Sequence, residues 1–476
     1  MCSTALCEKI SSREPAGATR SQLGSLTLVS KLLVAVVAAA VAIAFADSSI
    51  VVLALPELYG RFDTTIERVA WVVTAYNVAV AVTALGLVLF VHRINAARVL
   101  GAGLVVFLGG SIACAAAGSL PFLTAMRSVQ GVGAALLLAG SLPVLAALTG
   151  SPAAGASLWT LAGTFGAALG PALGGMLTQA FDWRAIFIAQ APVAALGLLA
   201  TLRTHQHVVA KEVWSPSLRR TLPANLCLGL LFGALVGALF LAVLLVITVW
   251  GYSAIGGAAI VSVLPAAALA VRPLERRLPR IAAVCGGATL LAGGLLGLAL
   301  LPSASVLLAV YALALCGAGL GLAVPLLSEE ALDLRAGLAR SGTLTVGVRH
   351  LGLVLALASI APLLASQVPR AGDKALLKAT AVLLDSSTGL DKKVPVALDL
   401  QSAFATAREG ETPDLSEPFN AHGARDDPAL ASTRGDLVGT IEATITRAFR
   451  PAFLLSAGFA ALALLAATIF RRRLAA

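Results

Sequence analysis

Charged and aromatic side chains are scarce in this chain of 476 residues. Asp, Glu, Lys and Arg together make up 12% of the sequence and Phe, Trp and Tyr make up 5%, whereas hydrophobic residues make up 58% and glycine occurs 45 times. A soluble protein of this length needs many more polar side chains to cover its surface. The composition therefore excludes a soluble protein and predicts a polytopic membrane protein.

The sequence also lacks the signatures of several enzyme and cofactor classes. It contains no phosphate-binding loop of the Gly-x-x-x-x-Gly-Lys-Ser/Thr type, which argues against direct use of ATP. The six cysteines have no metal-binding spacing, and no cluster of His, Cys and Asp indicates a metal. No nucleophile has a base placed beside it. We therefore predict that the protein is not an enzyme and holds neither a metal nor another cofactor.

The net charge of +10 does not indicate nucleic-acid binding, because Lys and Arg fall in short clusters between apolar runs. Such clusters set the orientation of membrane proteins, and here they predict that both chain termini are cytoplasmic. A cleavable signal peptide is not expected, since residues 1–30 are polar and the apolar run that follows is too long for one. We predict a multi-pass protein of the plasma (inner) membrane.

Runs of about 18 or more mostly apolar residues predict membrane-spanning helices. Twelve such runs occur as two sets of six, separated by a polar stretch. The first set lies near residues 32–56, 69–91, 99–118, 122–148, 155–178 and 184–202, and the second near 223–249, 254–271, 281–301, 304–327, 341–366 and 449–470. The predicted fold class is therefore an all-α polytopic membrane protein with twelve transmembrane helices in two six-helix bundles.

The polar segments divide the chain into four parts. They are a cytoplasmic N-terminal tail at 1–30, an N-terminal bundle at 31–202, a cytoplasmic linker at 203–222 and a C-terminal bundle at 223–476. The loop 367–448, between the last two spans, is predicted to lie outside the membrane. Its pieces rich in Pro, Asp and Glu between 408 and 428 predict flexibility, whereas ALLKATAVLLD and GTIEATITRAF have helical periodicity. The partner of this loop, if any, cannot be deduced from the sequence.

Two charged residues lie inside predicted spans of the first half. Asp47 is about fifteen residues, or roughly 23 Å, into the first span, and Arg127 is roughly 9 Å into the fourth span, which runs the opposite way. In a hydrocarbon core of about 30 Å the two residues reach a similar depth. A charge at this depth is costly and needs a partner, so the pair is a functional candidate. The carboxyl group could exchange its proton for the ion pair. The alternatives are a fixed structural ion pair and an Arg127 side chain that only extends to the outer head groups.

Other polar side chains inside the spans are weaker candidates for a substrate path. Asn77, Gln130 and Gln190 could line a cavity or form hydrogen bonds between helices. Tyr76 and Trp159 could contact substrate or could be packing or interface anchors. Arg349 and His350 lie in the first third of the eleventh span. A histidine there can titrate near neutral pH, but a packing histidine is more common.

Several stretches of the sequence resemble one known family. They are DSSIVVLALPEL at 47–58, WVVTAY at 71–76, RSVQGVGAALLLAGSLPVL from Arg127, and GTFGAALGPALGG at 163–175 followed by DWRAIFIAQAPV. These stretches resemble the major facilitator superfamily and, within it, the drug:proton antiporter branch, whose members commonly have fourteen helices. The resemblance covers nearly the whole chain. It implies two related six-helix halves that expose a midplane site to each side of the membrane in turn.

The resemblance also implies roles for individual residues. Asp47 would carry the proton, and Arg127 would hold and release it. The small residues and the proline of the fifth span would form the antiporter motif, a smooth helix face that permits tight contact between the halves and limits leakage. These residues are Gly166, Gly170, Pro171, Gly174 and Gly175.

The sequence departs from the family pattern in two places. In the connection after the second span, His92 stands where an aspartate is expected and Asn95 where a glycine is expected. In addition, the helix pair that this branch usually carries between the halves is replaced by the linker at 203–222. The chain is therefore predicted to be a twelve-helix relative.

These observations favour a secondary active transporter, a proton-coupled exporter of small hydrophobic or amphipathic compounds that works by alternating access. Its partners would be the substrate, protons and the lipid bilayer. One alternative is an uptake or lipid transporter on the same fold. Another is a non-transporting membrane receptor or scaffold that uses the loop 367–448 as its working surface.

Overall fold

The structure is a computed structural model that describes residues 28–204, 218–332, 337–407, 411–422 and 427–470. Most of the predicted N-terminal tail and of the predicted linker lies outside these residues. Within them, every regular element is a helix, and twelve helices are long and apolar enough to cross a membrane. The predicted all-α fold class and the predicted number of spans are confirmed.

The twelve helices are called spans 1 to 12 in chain order. Spans 1 to 6 are Leu28–Val52, Ile66–Leu87, Ala96–Ala115, Leu120–Thr149, Pro152–Ala180 and Arg184–Leu202. Spans 7 to 12 are Thr221–Val249, Ala254–Glu275, Arg280–Ala299, Val306–Ala331, Leu338–Asp385 and Pro428–Ile469. The side of the bundle on which span 1 begins is called the terminal side. The opposite side, which carries the helices between spans 11 and 12, is called the cap side.

Polar residues at the connections define where several spans begin. The side chains of Thr65, Ser119 and Ser151 accept a backbone N–H from the first turn of spans 2, 4 and 5. Asn95 does the same for span 3, because its Oδ1 accepts the N–H groups of Ala97 and Arg98 at 2.9 and 3.2 Å. Such caps replace the hydrogen bonds that the first turn of a helix lacks. Asn95, which departs from the family pattern, is therefore a helix cap in this chain.

The region predicted as an outer loop is largely helical. Span 11 continues to Asp385 and is 48 residues long, or about 72 Å, whereas a hydrocarbon core is only about 30 Å thick. Further helices cover Leu390–Thr406 and Ser416–Ala421, and the first part of span 12, Pro428–Ala448, also belongs to this region. We call the described residues of 367–448 the cap. The prediction of flexibility between 408 and 428 is wrong for 411–422, because Phe419 is fully buried in the cap core.

The cap is attached to the second half of the chain. Thr412 donates its hydroxyl hydrogen to the carbonyl oxygen of Val249 at 2.7 Å, and the indole N–H of Trp250 donates to the hydroxyl of Thr446 at 3.0 Å. Within the cap, Lys392 and Asp427 form an ion pair at 2.7 Å. The hydrogen bond from Lys392 lowers the pKa of the Asp427 carboxyl group.

We expect Phe419→Ala to destabilise the cap by about 3–5 kcal/mol, because it removes a large buried side chain and leaves a cavity. Protease should therefore cut the cap faster when it is added to the cap side of reconstituted protein. Leu398→Ala is the matched control, since Leu398 lies in the same cap with 63% of its side chain exposed. Equal cutting rates for the two variants would contradict the packing role of Phe419.

Candidate functional site

The most deeply buried charges in the described residues form an ion pair between spans 1 and 4. Asp47 and Arg127 are both 0% exposed, and Oδ2 of Asp47 lies 2.7 Å from Nη2 of Arg127. Neither of these two atoms has another hydrogen-bond partner among the described residues. The structure therefore brings together the two charged residues that the sequence predicted at similar depth, and each neutralises the other.

Two glutamines hold the second carboxylate oxygen of Asp47. Gln190 of span 6 donates its side-chain N–H to Oδ1 at 2.8 Å, and the side-chain nitrogen of Gln130 lies 3.4 Å from the same oxygen. The glutamines also bond to each other, since Nε2 of Gln130 is 2.6 Å from Oε1 of Gln190. Both residues are almost completely buried. Asp47 thus contacts a buried network of side-chain amides.

Arg127 has partners of its own in spans 2 and 4. Its Nε donates to the carbonyl oxygen of Val72 at 3.0 Å, and Nη1 donates to Oε1 of Gln130 at 2.5 Å. The centre of its guanidinium lies 4.3 Å from the ring centroid of Tyr76, which adds a cation–π attraction. The hydroxyl of Tyr76 in turn donates to the carbonyl oxygen of Ala44 at 3.0 Å. These contacts hold the guanidinium in place independently of Asp47.

A cavity lies between the two halves, beside this cluster. Its walls are mainly apolar and aromatic, with Phe45 of span 1, Trp159 of span 5 and Phe232 of span 7 among the lining residues. Its volume is about 140 Å³, close to the roughly 150 Å³ of an apolar protein cavity that binds benzene. In this conformation the cavity therefore has room for a compact aromatic molecule.

The ion pair lies directly behind the cavity wall. Ser48, the neighbour of Asp47, lines the cavity and donates its hydroxyl hydrogen to Oδ1 of Asn77 at 3.1 Å. Asn77 itself is fully buried and donates to the carbonyl oxygen of Val73. Tyr76, Gln130 and Gln190 contact the ion pair, Asn77 contacts Ser48, and none of the four is among the described residues that line the cavity. A substrate-path role for these four residues stays a prediction.

The glycines of the predicted antiporter motif lie at close helix contacts of two kinds. Gly166, Gly170 and Gly174 face span 1, where an added Cβ would overlap Ala42 and Ser49 or lie 2.5 Å from the carbonyl oxygen of Ile50. Gly175 instead faces span 8 of the other half. A Cβ at Gly175 would overlap the Ala258 side chain and lie 2.7 Å from the carbonyl oxygen of Ala254. Gly175 therefore permits the contact that closes the cap side of the interface.

The cavity extends toward the terminal side. Pro171 and Leu239 line its deep end, whereas Arg272 and Ser328 line it close to the terminal ends of spans 8 and 10. The halves also touch on the terminal side along span 11, where a Cβ at Gly347 would lie 2.8 Å from the Leu85 side chain. The described halves therefore meet near the cap side through spans 5 and 8 and also along span 11, and the cavity between spans 5, 8 and 10 reaches toward the terminal side.

Sequence reasoning assigned no role to Phe45 and Phe232, and it left Trp159 open between a packing anchor and a substrate contact. Phe45, Trp159 and Phe232 lie in apolar helices, and hydropathy alone does not show which of their faces meets the other half. Arg349 was recognised only as a polar residue within a span, and it lines the cavity together with His350. Within the described residues no group of three or more His, Cys, Asp and Glu could hold a metal ion.

Comparisons with known sequences point to one family. A family model described as Major Facilitator Superfamily matches residues 37–366. Multidrug resistance protein Stp of Mycobacterium tuberculosis (strain ATCC 25618 / H37Rv) is 32% identical over 161 residues, which cover 33% of this chain and 30% of that protein. Methylenomycin A resistance protein of Streptomyces coelicolor is 30% identical over 183 residues, which cover 38% of each chain. The chain thus spans about a third of the length of the curated relatives it matches.

Comparison with solved structures agrees with this family at the level of the fold. A bacterial homolog to the human lysosomal transporter Spinster, in an inward-facing and unoccupied conformation, aligns with a TM-score of 0.61. The alignment covers 94% of this chain and 98% of that chain at 14% sequence identity. At this identity the likeness shows the fold alone. It confirms the predicted arrangement of twelve helices in two six-helix bundles.

Proposed function

Because this chain belongs to the major facilitator superfamily, we propose that it is a secondary transporter that exports small hydrophobic or amphipathic compounds in exchange for protons. One observation carries the proposal: a fully buried ion pair, Asp47 with Arg127, lies one residue behind the wall of a cavity between the halves. A secondary transporter of this kind has its site at the midplane, between two halves that rock against each other.

In the proposed cycle, Asp47 binds and releases the proton. When its carboxyl group is ionised, it neutralises Arg127 and accepts a hydrogen bond from Gln190. When a proton binds, the attraction to Arg127 is lost and the hydrogen bond from Gln190 to Asp47 weakens, while Gln130 keeps its bond from the guanidinium. The change of charge therefore alters contacts among spans 1, 4 and 6 next to the cavity. The favourable arrangement of the halves would then differ between the two protonation states.

The cavity supports a small lipophilic substrate. Its lining is mostly apolar, with aromatic rings from three spans and a few polar groups, which is the usual composition of a small-molecule site. Closure on the cap side through Gly175 supports alternating access, because a continuous pore would dissipate the proton gradient. The membrane is proposed to be the plasma (inner) membrane, with both termini cytoplasmic, so that the terminal side is the cytoplasmic side.

Two alternatives are separated from this proposal by experiment. An uptake or lipid transporter on the same fold would move substrate in the opposite direction. A receptor or scaffold that uses the cap would move none, and the ordered core of the cap around Phe419 is the observation that favours it. Accumulation or extrusion of a fluorescent dye by cells that express the chain gives the direction of transport.

The proposal predicts substrate-dependent proton movement in proteoliposomes. We expect that adding an amphipathic dye, from a panel of cationic, neutral and anionic dyes, releases protons from vesicles that contain the protein. The signal should disappear when a protonophore collapses the gradient, because the driving force is then lost. Dye transport of equal rate with and without a gradient would contradict proton coupling, and no transport of any dye would favour the receptor.

A further inference from the structure

Arg349 is a cation in the cavity that has no carboxylate partner among the described residues. It lies twelve residues into span 11, roughly 17 Å along a helix in a core about 30 Å thick. It lines the cavity and is partly exposed there. The other cation of the lining, Arg272, is compensated by Glu275 at 3.7 Å. No Asp or Glu is among the described residues that line the cavity.

Two aromatic rings, one from each half, flank the guanidinium of Arg349. Its central carbon lies 3.7 Å from the ring centroid of Phe232 and 4.4 Å from that of Phe45. The ring faces attract the cation, but they cannot accept the strong hydrogen bonds for which a guanidinium has five N–H donors. These donors are therefore available for a ligand that enters the cavity. An arginine at such depth is costly unless its charge meets an opposite charge or water.

A second polar group lies on the same face of span 11. Thr345, one turn before Arg349, lines the cavity, and its hydroxyl oxygen is buried without a hydrogen-bond partner among the described residues. Buried polar groups in proteins normally have partners, so this exception indicates a missing one. His350 cannot supply a negative charge, because an imidazole is either neutral or cationic; its Nδ1–H donates to the carbonyl oxygen of Val346 at 2.8 Å.

We propose that Arg349 and Thr345 form the head-group subsite of the cavity and that the ligand is an amphipathic organic anion with a carboxylate or a chemically similar head. The anionic head binds the guanidinium and the Thr345 hydroxyl, and the apolar body packs against Phe45, Trp159 and Phe232. A planar guanidinium suits a carboxylate, since it can donate two parallel N–H bonds. The binding of the anion does not depend on the proposed transport function. Only the statement that the anion is the transported substrate rests on that function.

The test compares three probes that share one ring system and differ in charge. They are 1-naphthoate, 1-naphthalenemethanol and 1-naphthylmethylammonium, and their binding to the whole chain is measured by calorimetry in nanodiscs of uncharged-headgroup lipid without a proton gradient. Wild type should bind 1-naphthoate about 10- to 100-fold more tightly than the cationic probe, as expected for a hydrogen bond between charged groups. Arg349→Gln should abolish this preference, and Arg349→Lys should keep its sign with a smaller ratio.

Matched controls identify the source of any change. Arg276→Gln removes an exposed arginine at the terminal end of span 8, and it should leave the preference for the anion intact. If laurate displaces 1-naphthoate and this displacement requires Arg349, the ligand is a lipid-derived anion. If 1-naphthoate binds and laurate does not displace it, the ligand is a compact aromatic acid. Each of these results requires the same head-group chemistry.

Three results would overturn the proposal. They are equal binding of the anionic and cationic probes by wild type, a preference that survives Arg349→Gln, and a thermal shift by chloride alone without any preference among the naphthyl probes. Because binding is measured without a gradient, these results do not depend on proton coupling. A transporter that is proton-coupled but binds the cation better would refute the anion subsite alone.

Discussion

Asp47→Asn should reduce proton-driven transport to the rate of vesicles without protein. Asparagine cannot bind and release a proton, so the change removes the proposed coupling group while it keeps the size of the side chain. It also leaves Arg127 buried without its counter-charge, which costs about 3–5 kcal/mol for a typical buried pair. The loss of stability in Asp47→Asn should be smaller than this, because Arg127 keeps its hydrogen bonds to Val72 and Gln130. Transport is measured with the dye and proton assay described above, and stability by the unfolding temperature.

The double variant Asp47→Asn, Arg127→Gln separates coupling from stability. It removes both buried charges, so it should recover most of the stability that the single variant loses, because paired charges in contact are not additive. Transport should stay absent. If the ion pair were only structural, the double variant would recover stability and transport together. Asp373→Asn is the matched control, since Asp373 is an exposed residue in the cap part of span 11 and should behave like wild type in both assays.

The second large effect is expected at the contact between spans 5 and 8. Gly175→Val introduces side-chain atoms where a Cβ alone would overlap Ala258. Overpacking of this kind costs about 1–3 kcal/mol or more, and the cost falls only on the conformation that is closed on the cap side. The equilibrium should therefore shift by about 10- to 100-fold toward a conformation that is open on the cap side. Transport should fall by a similar factor, since one of the two states becomes rare.

Labelling from the cap side measures this shift directly. Leu239→Cys places a thiol at the deep end of the cavity, where a membrane-impermeant maleimide added on the cap side should react slowly. Addition of Gly175→Val should increase the rate. Gly109→Val is the matched control, because a Cβ at Gly109 of span 3 meets nothing within 4 Å. An unchanged labelling rate in the Gly175 variant would show that this contact does not gate the cap side.

Parts of the site could be predicted from the sequence because they depend on position along a helix. The distances of Asp47 and Arg127 from the ends of their apolar runs place them at similar depth, and the structure shows them 2.7 Å apart. Their role in proton coupling stays a prediction that the two Asp47 variants test. The glutamine contacts required more than depth, because three spans must turn Gln130, Gln190 and Asp47 toward one point.

The fifth span shows the limit of a motif. Its glycine spacing predicted a smooth face, but not that Gly166, Gly170 and Gly174 would face span 1 of their own half while Gly175 faces span 8 of the other. The cap shows a similar limit. A polar composition favoured flexibility between 408 and 428, whereas burial of Phe419 by neighbouring helices stabilises an ordered segment there.

The amino-acid sequence by itself determined that this is a membrane protein of twelve spans with a charge pair inside the first half. Composition and hydropathy act locally, and the absence of water from the membrane leaves the helix as the available structure for each apolar run. The tertiary structure decided which faces of these helices meet. Rotation of each span about its axis, which hydropathy does not encode, placed Asp47 among glutamines and Arg349 between rings of the two halves.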